Sequence, residues 1–139
     1  MEGYESILTF NNYIVNEIIY KANSEFREIK EQIPVDVSLK TNIKQEEDKM
    51  EVNLILTVNE NAIEKNFPYE MKIDITGYFS YNGETNEKID LRPNAIAILY
   101  PYLRAIVSTY TVSANKIPLI LPAINTNKLI EEQDKQEKD

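Results

Sequence analysis

Three stretches of this chain alternate apolar and polar residues with a strict period of two. Val35, Val37 and Leu39 alternate with Asp36, Ser38 and Lys40, and Ile43 follows. Val52, Leu54, Leu56 and Val58 alternate with Glu51, Asn53, Ile55 and Thr57. Tyr69, Met71, Ile73 and Ile75 alternate with Glu70, Lys72, Asp74 and Thr76. Successive side chains of a strand point to opposite faces, so each stretch reads as a strand with one apolar side. The links are short and polar: KQEEDK at 44–49 and NENAIEKNF at 59–67. Links of that kind give an antiparallel meander. The last strand is expected to continue through Gly77-Tyr78-Phe79-Ser80-Tyr81 to a turn at Asn82-Gly83. A lone sheet with one apolar face is not stable in water, so the remaining chain must cover it.

The cover is the stretch from Arg92 to Asn125. Ile96, Leu99, Leu103, Ile106 and Tyr110 recur at spacings of three and four, which is a helix face. Asn94 is the expected N-cap after Pro93, and Asn115 the expected left-handed end. Pro101 falls inside the pattern, so the helix kinks there or its regular part starts just before. IPLILPAIN, residues 117–125, cannot be a regular helix with two prolines so spaced, and reads as an extended crossover. Thr126 is expected to cap a last helix, NKLIEEQDKQ, with residues 131–139 fraying as a charged tail. Upstream, FNNYIVNEIIYK at 10–21 is rich in strand formers, but its alternation slips at Asn16-Glu17-Ile18. A β-bulge accounts for the slip; Ile14, Ile18 and Phe26 also keep a helical reading open. Residues 22–32 read as a loop or a helical turn. One domain over residues 1–139 accommodates all of this, with no internal repeat.

Composition removes whole classes of function. The chain has neither cysteine nor histidine among its 139 residues. Thiol chemistry, disulfides, the usual zinc sites and the commonest general base are thereby excluded. A net charge of −8 argues against nucleic acid as a partner. With only three glycines there is no phosphate-cradling loop. Glu46-Glu47 and Glu131-Glu132 read as solvated charge. No metal and no cofactor is expected. The acidic N-terminus lacks a signal-peptide core, and no apolar run is expected to cross a bilayer; a cytoplasmic protein without membrane insertion is the expectation.

What remains is apolar surface. Ile117, Leu119, Ile120 and Leu121 are nearly consecutive, so in an extended chain they cannot all face one way; some must meet a partner, another subunit or a client. Tyr100 and Tyr102 flank Pro101 and are expected to pack on the sheet with their hydroxyls at its rim. Arg104 is expected to make an ion pair or carbonyl contact across a subunit boundary.

Ile98-Leu99-Tyr100-Pro101-Tyr102-Leu103-Arg104, Ile106-Val107-Ser108, Ile117-Pro118-Leu119 and Leu121-Pro122-Ala123-Ile124-Asn125 together resemble the SecB family of protein-export chaperones. Gly77-Tyr78-Phe79 and Val35 to Leu39 fall in matching order. The resemblance implies an α+β fold: a four-stranded antiparallel sheet, one long helix, a proline-rich crossover and a short C-terminal helix. It implies a homotetramer, a dimer of dimers, and a non-enzymatic activity. Such a holdase, independent of ATP, keeps unfolded preproteins export-competent in apolar grooves and hands them to the SecA translocation ATPase. The groove would comprise Val35, Val37, Leu39, Tyr69, Met71, Ile73, Ile117, Leu119, Ile120 and Leu121. The oligomer interface would comprise Tyr13, Val15, Leu99, Tyr102, Leu103 and Ile106. Three departures stand out: Ala114-Asn115-Lys116 replaces the family's glycine pair, Thr126 replaces an aromatic, and the tail is acidic. The alternative is a SecB-like chaperone dedicated to one partner, such as the antitoxin of a toxin–antitoxin pair.

Overall fold

The computed structural model describes residues 8–29, 34–81 and 89–138. In chain order the elements are β1 (Leu8–Ala22), β2 (Val37–Gln45), β3 (Lys49–Val58), α1 (Ala62–Lys65), β4 (Tyr69–Tyr81), α2 (Arg92–Ser113) and α3 (Thr126–Lys138). The strands form one antiparallel sheet in the order β1-β4-β3-β2. This is the expected α+β fold. The period of two lands as the alternation dictates. Val52, Leu54, Leu56 and Val58 of β3 and Met71, Ile73, Ile75 and Phe79 of β4 are all at most 2% exposed on one face. The β2–β3 turn is tighter than expected, because pairing persists to Gln45↔Met50. Residues 59–67 contain the single turn α1 between Asn61 and Asn66, both left-handed. Val35 lies outside β2, and the Asn82-Gly83 turn lies outside the described residues.

β1 is a strand from end to end, and it carries two bulges. Its pairing with β4 shifts between Phe10 and Asn12 and again between Val15 and Glu17, so Asn11 and Asn16 are the extra residues. Each insertion restores the phase that the sequence breaks. Phe10, Tyr13, Val15, Ile18 and Tyr20 therefore share the inner face, opposite Phe79, Gly77, Ile75, Ile73 and Met71. On the outer face a polar line crosses the sheet. The Asn16 amide donates to Asp74 Oδ1 (3.0 Å) and Thr76 Oγ1 (2.8 Å). The Asn53 amide donates to Asp74 Oδ1 at 2.6 Å, and that of Asn42 to Asn53 Oδ1 at 3.1 Å.

α2 lies on the inner face. Ile96, Leu99, Leu103 and Val107 are fully buried there. Gly77 makes room for it: a Cβ on Gly77 would sit 3.0 Å from Leu99 Cδ1 and 3.1 Å from Phe79 Cε1. The helix begins earlier than Asn94, with Leu91 as N-cap and Pro93 in the first turn, where a missing N–H costs nothing. The capping oxygen comes from Asp90, whose Oδ1 accepts the Arg92 N–H at 3.1 Å. Pro101 is exposed, and the helix continues through it. At the far end Asn115 has φ 62° and Lys116 N–H reaches back to Thr111 O at 2.9 Å, as expected of a left-handed helix end. By length and hydropathy α2 is the one described helix that could cross a bilayer, contrary to the sequence-based expectation. In this fold its apolar stripe is spent on the sheet.

α3 packs against α2 and reaches β2. Its cap is Asn125 and not Thr126: Asn125 Oδ1 accepts the Lys128 N–H at 3.0 Å. The charged residues from 131 onward belong to this helix. Asp134 is gripped by Arg92 at 2.9 and 3.2 Å, and the helix continues to Lys138.

Candidate functional site

The crossover between α2 and α3 is held by three hydroxyls projecting from α2. Ser108 Oγ donates to Leu119 O at 3.0 Å, and Thr111 Oγ1 accepts from Leu119 N–H at 2.9 Å. Both backbone groups of Leu119 are thus paired as they would be in a sheet. Tyr100 Oη donates to Pro122 O at 2.6 Å. Burial raises the Tyr100 hydroxyl above its ordinary pKa, while nearby Arg104 pulls the other way. The phenol therefore stays protonated and keeps its donor. Prolines at 118 and 122 stiffen the same strap from within.

Fastening at Leu119 and Pro122 decides which side chains turn in and which turn out. Leu121 is 1% exposed and Leu119 half-buried, both packed on the core. Ile117 and Ile120 point the other way and are 89% and 72% exposed. They are the most exposed large apolar side chains of the described chain. On the far edge of the sheet from β1, β2 presents Val37, exposed, with Leu39 and Ile43 half-buried, on its inner face. Between these two sits Thr41, 7% exposed, whose hydroxyl has no hydrogen-bond partner among the described residues.

The expected groove residues divide by burial. Tyr69, Met71, Ile73 and Leu121 are core residues, because β4 is an inner strand and its apolar face lies beneath the helical layer. Tyr69 stacks on Tyr20 with ring centroids 5.4 Å apart, and burial raises both phenols. Val35, Val37, Ile117 and Ile120 are exposed, and Leu39 and Leu119 are half-buried. The expected interface set divides the same way. Leu99 and Leu103 are completely buried in the chain's own core, because the stripe that faces the sheet is the one they occupy. Tyr102, Tyr13 and Ile106 lie at or near the surface, and Val15 is 40% exposed. Tyr102 meets Tyr13 at 4.8 Å and Phe10 at 5.3 Å, an aromatic corner where α2 crosses β1. Tyr100 turns inward instead of sharing a rim with Tyr102.

Sequence reasoning overlooked the charged clamp at the other end of α2. Arg92 bonds Asp90 (2.9 Å) and Asp134 (2.9 Å), joining the start of α2 to the middle of α3. The clamp holds the Arg92 guanidinium above its ordinary pKa and the Asp90 carboxyl below its own, chiefly through the hydrogen bonds between them. Arg104, singled out from sequence, makes no ion pair among the described residues. The spacing of 42 residues between Arg92 and Asp134 left no local signal to find.

A four-stranded antiparallel sheet roofed by a long helix, with an apolar strap fastened along that helix, is the architecture of the SecB family, whose members are chaperones and not enzymes. The chain belongs to the SecB family: the family described as preprotein translocase subunit SecB matches residues 15–137. An uncharacterised protein of Methanocaldococcus jannaschii is 36% identical over 123 residues, which is 85% of this chain and 79% of that protein. Among solved structures, the SecB-like chaperone Rv1957 of Mycobacterium tuberculosis, in complex with a ChAD peptide from the HigA1 antitoxin, superposes with a TM-score of 0.61 at 12% identity. That match covers 84% of this chain and 90% of the other, and shows that the fold is shared. A protein of unknown function from Streptococcus agalactiae superposes with a TM-score of 0.49 at 12% identity, over 84% of this chain and 97% of that one.

Proposed function

We propose that this protein is an ATP-independent holdase that keeps unfolded polypeptides extended on the apolar strap formed by the crossover and the β2 margin. The observation that carries the reading is the exposure of Ile117 and Ile120 beside a backbone pinned at Leu119. A flexible loop would fold such residues inward. A pinned one keeps them available without a further ordering cost on the chaperone side. Burying one isoleucine against a client contributes about 1.5–3 kcal/mol, before the client's own ordering is subtracted. Several weak contacts along a long client add by avidity, without any readout of its sequence.

Self-association completes the proposal. β1 is a fifteen-residue strand on a sheet edge, with Ile14, Val15 and Ile19 exposed at 46%, 40% and 37%. A long apolar edge of that kind invites pairing with a second copy. The aromatic corner of Phe10, Tyr13 and Tyr102 offers a further contact. A dimer of dimers in the cytoplasm, handing preproteins to SecA, is the fuller form of this reading.

The test is dilution of a denatured, unrelated protein into buffer without ATP. Suppression of its aggregation at near-stoichiometric ratios is expected, and its loss in the double variant Ile117→Ser/Ile120→Ser. A well-folded protein that suppresses nothing would leave the second reading, a chaperone dedicated to one partner. That reading is favoured by the antitoxin peptide on the similar Mycobacterium chaperone and by the acidic C-terminal tail.

A further inference from the structure

The chain has nine tyrosines but no cysteine, histidine or tryptophan. Cysteine and methionine are the side chains that oxidants usually attack first, and exposure decides which. Met50 and Met71 are 1% and 2% exposed. Among the described residues, one-electron oxidation therefore falls on phenols. Two pairs of tyrosine rings touch there, and they are unlike. Tyr20 and Tyr69 stack with their planes 24° apart, and Tyr69 is 6% exposed. Tyr13 and Tyr102 approach to 4.8 Å between centroids, with planes 39° apart. Of these two, Tyr102 is 39% exposed and Tyr13 half-buried.

The fold builds this contact. A spacing of three would put Phe10 and Tyr13 on opposite faces of a regular strand, and the bulge at Asn11 brings them to one face. Tyr13 stands opposite Gly77, where the missing side chain lets α2 come down on the sheet. Phe10 backs both rings, 6.3 Å from Tyr13 and 5.3 Å from Tyr102. At 4.8 Å between centroids, ring carbons of the two phenols are in van der Waals contact. Neither hydroxyl has a hydrogen-bond partner among the described residues, whereas those of Tyr81 and Tyr100 donate to backbone carbonyls.

We propose that Tyr13 and Tyr102 form an oxidative coupling site, at which a peroxide-driven one-electron oxidant joins β1 covalently to α2. Each phenol gives up one electron and its hydroxyl proton. The two radicals form a carbon–carbon bond between the ring positions beside their hydroxyls. The hydrogens on those two carbons then move to the oxygens, which restores both phenols. Hydrogen peroxide takes the two electrons and two protons and becomes two molecules of water. The product is a staple within one chain, from the first strand to the long helix, in a protein that has no cysteine for a disulfide. A cross-link that closes so long a loop acts chiefly by constraining the unfolded chain. Tyr20 and Tyr69 compete poorly, because burial shields Tyr69 from the oxidant and raises both phenols, so that they hold their protons. This coupling is independent of client binding.

The test is brief treatment of the intact chain, in dilute solution, with peroxidase and hydrogen peroxide. Dityrosine fluorescence is expected to rise. Mass spectrometry of a digest should find the Tyr13 and Tyr102 peptides joined, lighter than their sum by two hydrogen atoms, and at least fivefold more abundant than any other tyrosine pair. Tyr13→Phe and Tyr102→Phe keep the ring contact and should each cut the fluorescence at least fivefold. Tyr110→Phe, at a residue 40% exposed, should leave it within twofold. The coupled protein should unfold at a higher temperature than the untreated one, a gain that peroxide-treated Tyr102→Phe should not show. Cross-links spread evenly over the exposed tyrosines, or found only between two chains, overturn the proposal. So does fluorescence that survives both phenylalanine variants.

Discussion

Thr41 and Gly77 show how single residues set the tolerances of this fold. The Thr41 hydroxyl is buried without a hydrogen-bond partner among the described residues, so it carries a desolvation cost that no described residue offsets. Thr41→Val keeps the shape and removes the cost. Urea unfolding should show it more stable by about 1 kcal/mol. Gly77→Ala does the reverse. Its new methyl would press on Leu99 and Phe79, which are both locked in the core, and overpacking of that kind costs about 1–3 kcal/mol. Asp90 gives the pH dependence. Its carboxyl lies below its ordinary pKa in the folded protein, so its contribution is present above the unfolded value near about 4 and is lost as pH falls through the folded one. Acid titration by circular dichroism should show Asp90→Asn losing less stability across that window than the parent does.

Elements were legible where one period ran unbroken. β3 and β4 alternate without interruption, and the sequence assigns them and their inner face correctly. β1 was harder because two bulges break the alternation, and no local signal says whether a break is a bulge or a helix. The helix ends were misplaced by a residue or more, since the cap of α2 is a carboxylate preceding the N-cap and the cap of α3 precedes the expected one. For the site, sequence alone identified the strap, but not the order of its side chains. Which isoleucines face out depends on Ser108 and Thr111, eleven and eight residues from Leu119. Thr111→Val tests that fastening. The Leu119 N–H would lose its acceptor at a cost of about 1–3 kcal/mol, and its exchange with solvent should accelerate well before global unfolding. Deletion of Asn16 tests the bulge. It would remove the extra residue and leave Phe10, Tyr13, Val15, Ile18 and Tyr20 on the inner face opposite their present partners, and the expected result is a folded protein that lacks the Asn16 bonds to Asp74 and Thr76.

At the scale of the whole molecule, the apolar exposure proposed for assembly, on the β1 edge, is a different one from that proposed for clients, on the crossover and the β2 margin. A single sticky face would make binding and assembly compete. Separate ones let an oligomer form while client surface stays open. Val15→Lys/Ile19→Lys addresses the first alone. Light scattering should report half the parent mass, with client binding per subunit reduced only by lost avidity.

The two parts of the cover over the sheet are attached by different physics. Tyr100, Ser108 and Thr111 hold the strap with neutral hydroxyls, while Arg92 holds α3 between two carboxylates. Ionic strength acts on only one of these. Screening sets in over about 8–10 Å at about 0.1–0.15 M salt and weakens exposed ion pairs, but leaves hydroxyl–carbonyl bonds alone. Rising salt is therefore expected to loosen the C-terminal helix first and leave the strap in place, so the surface proposed for clients is insulated from the ionic conditions around it.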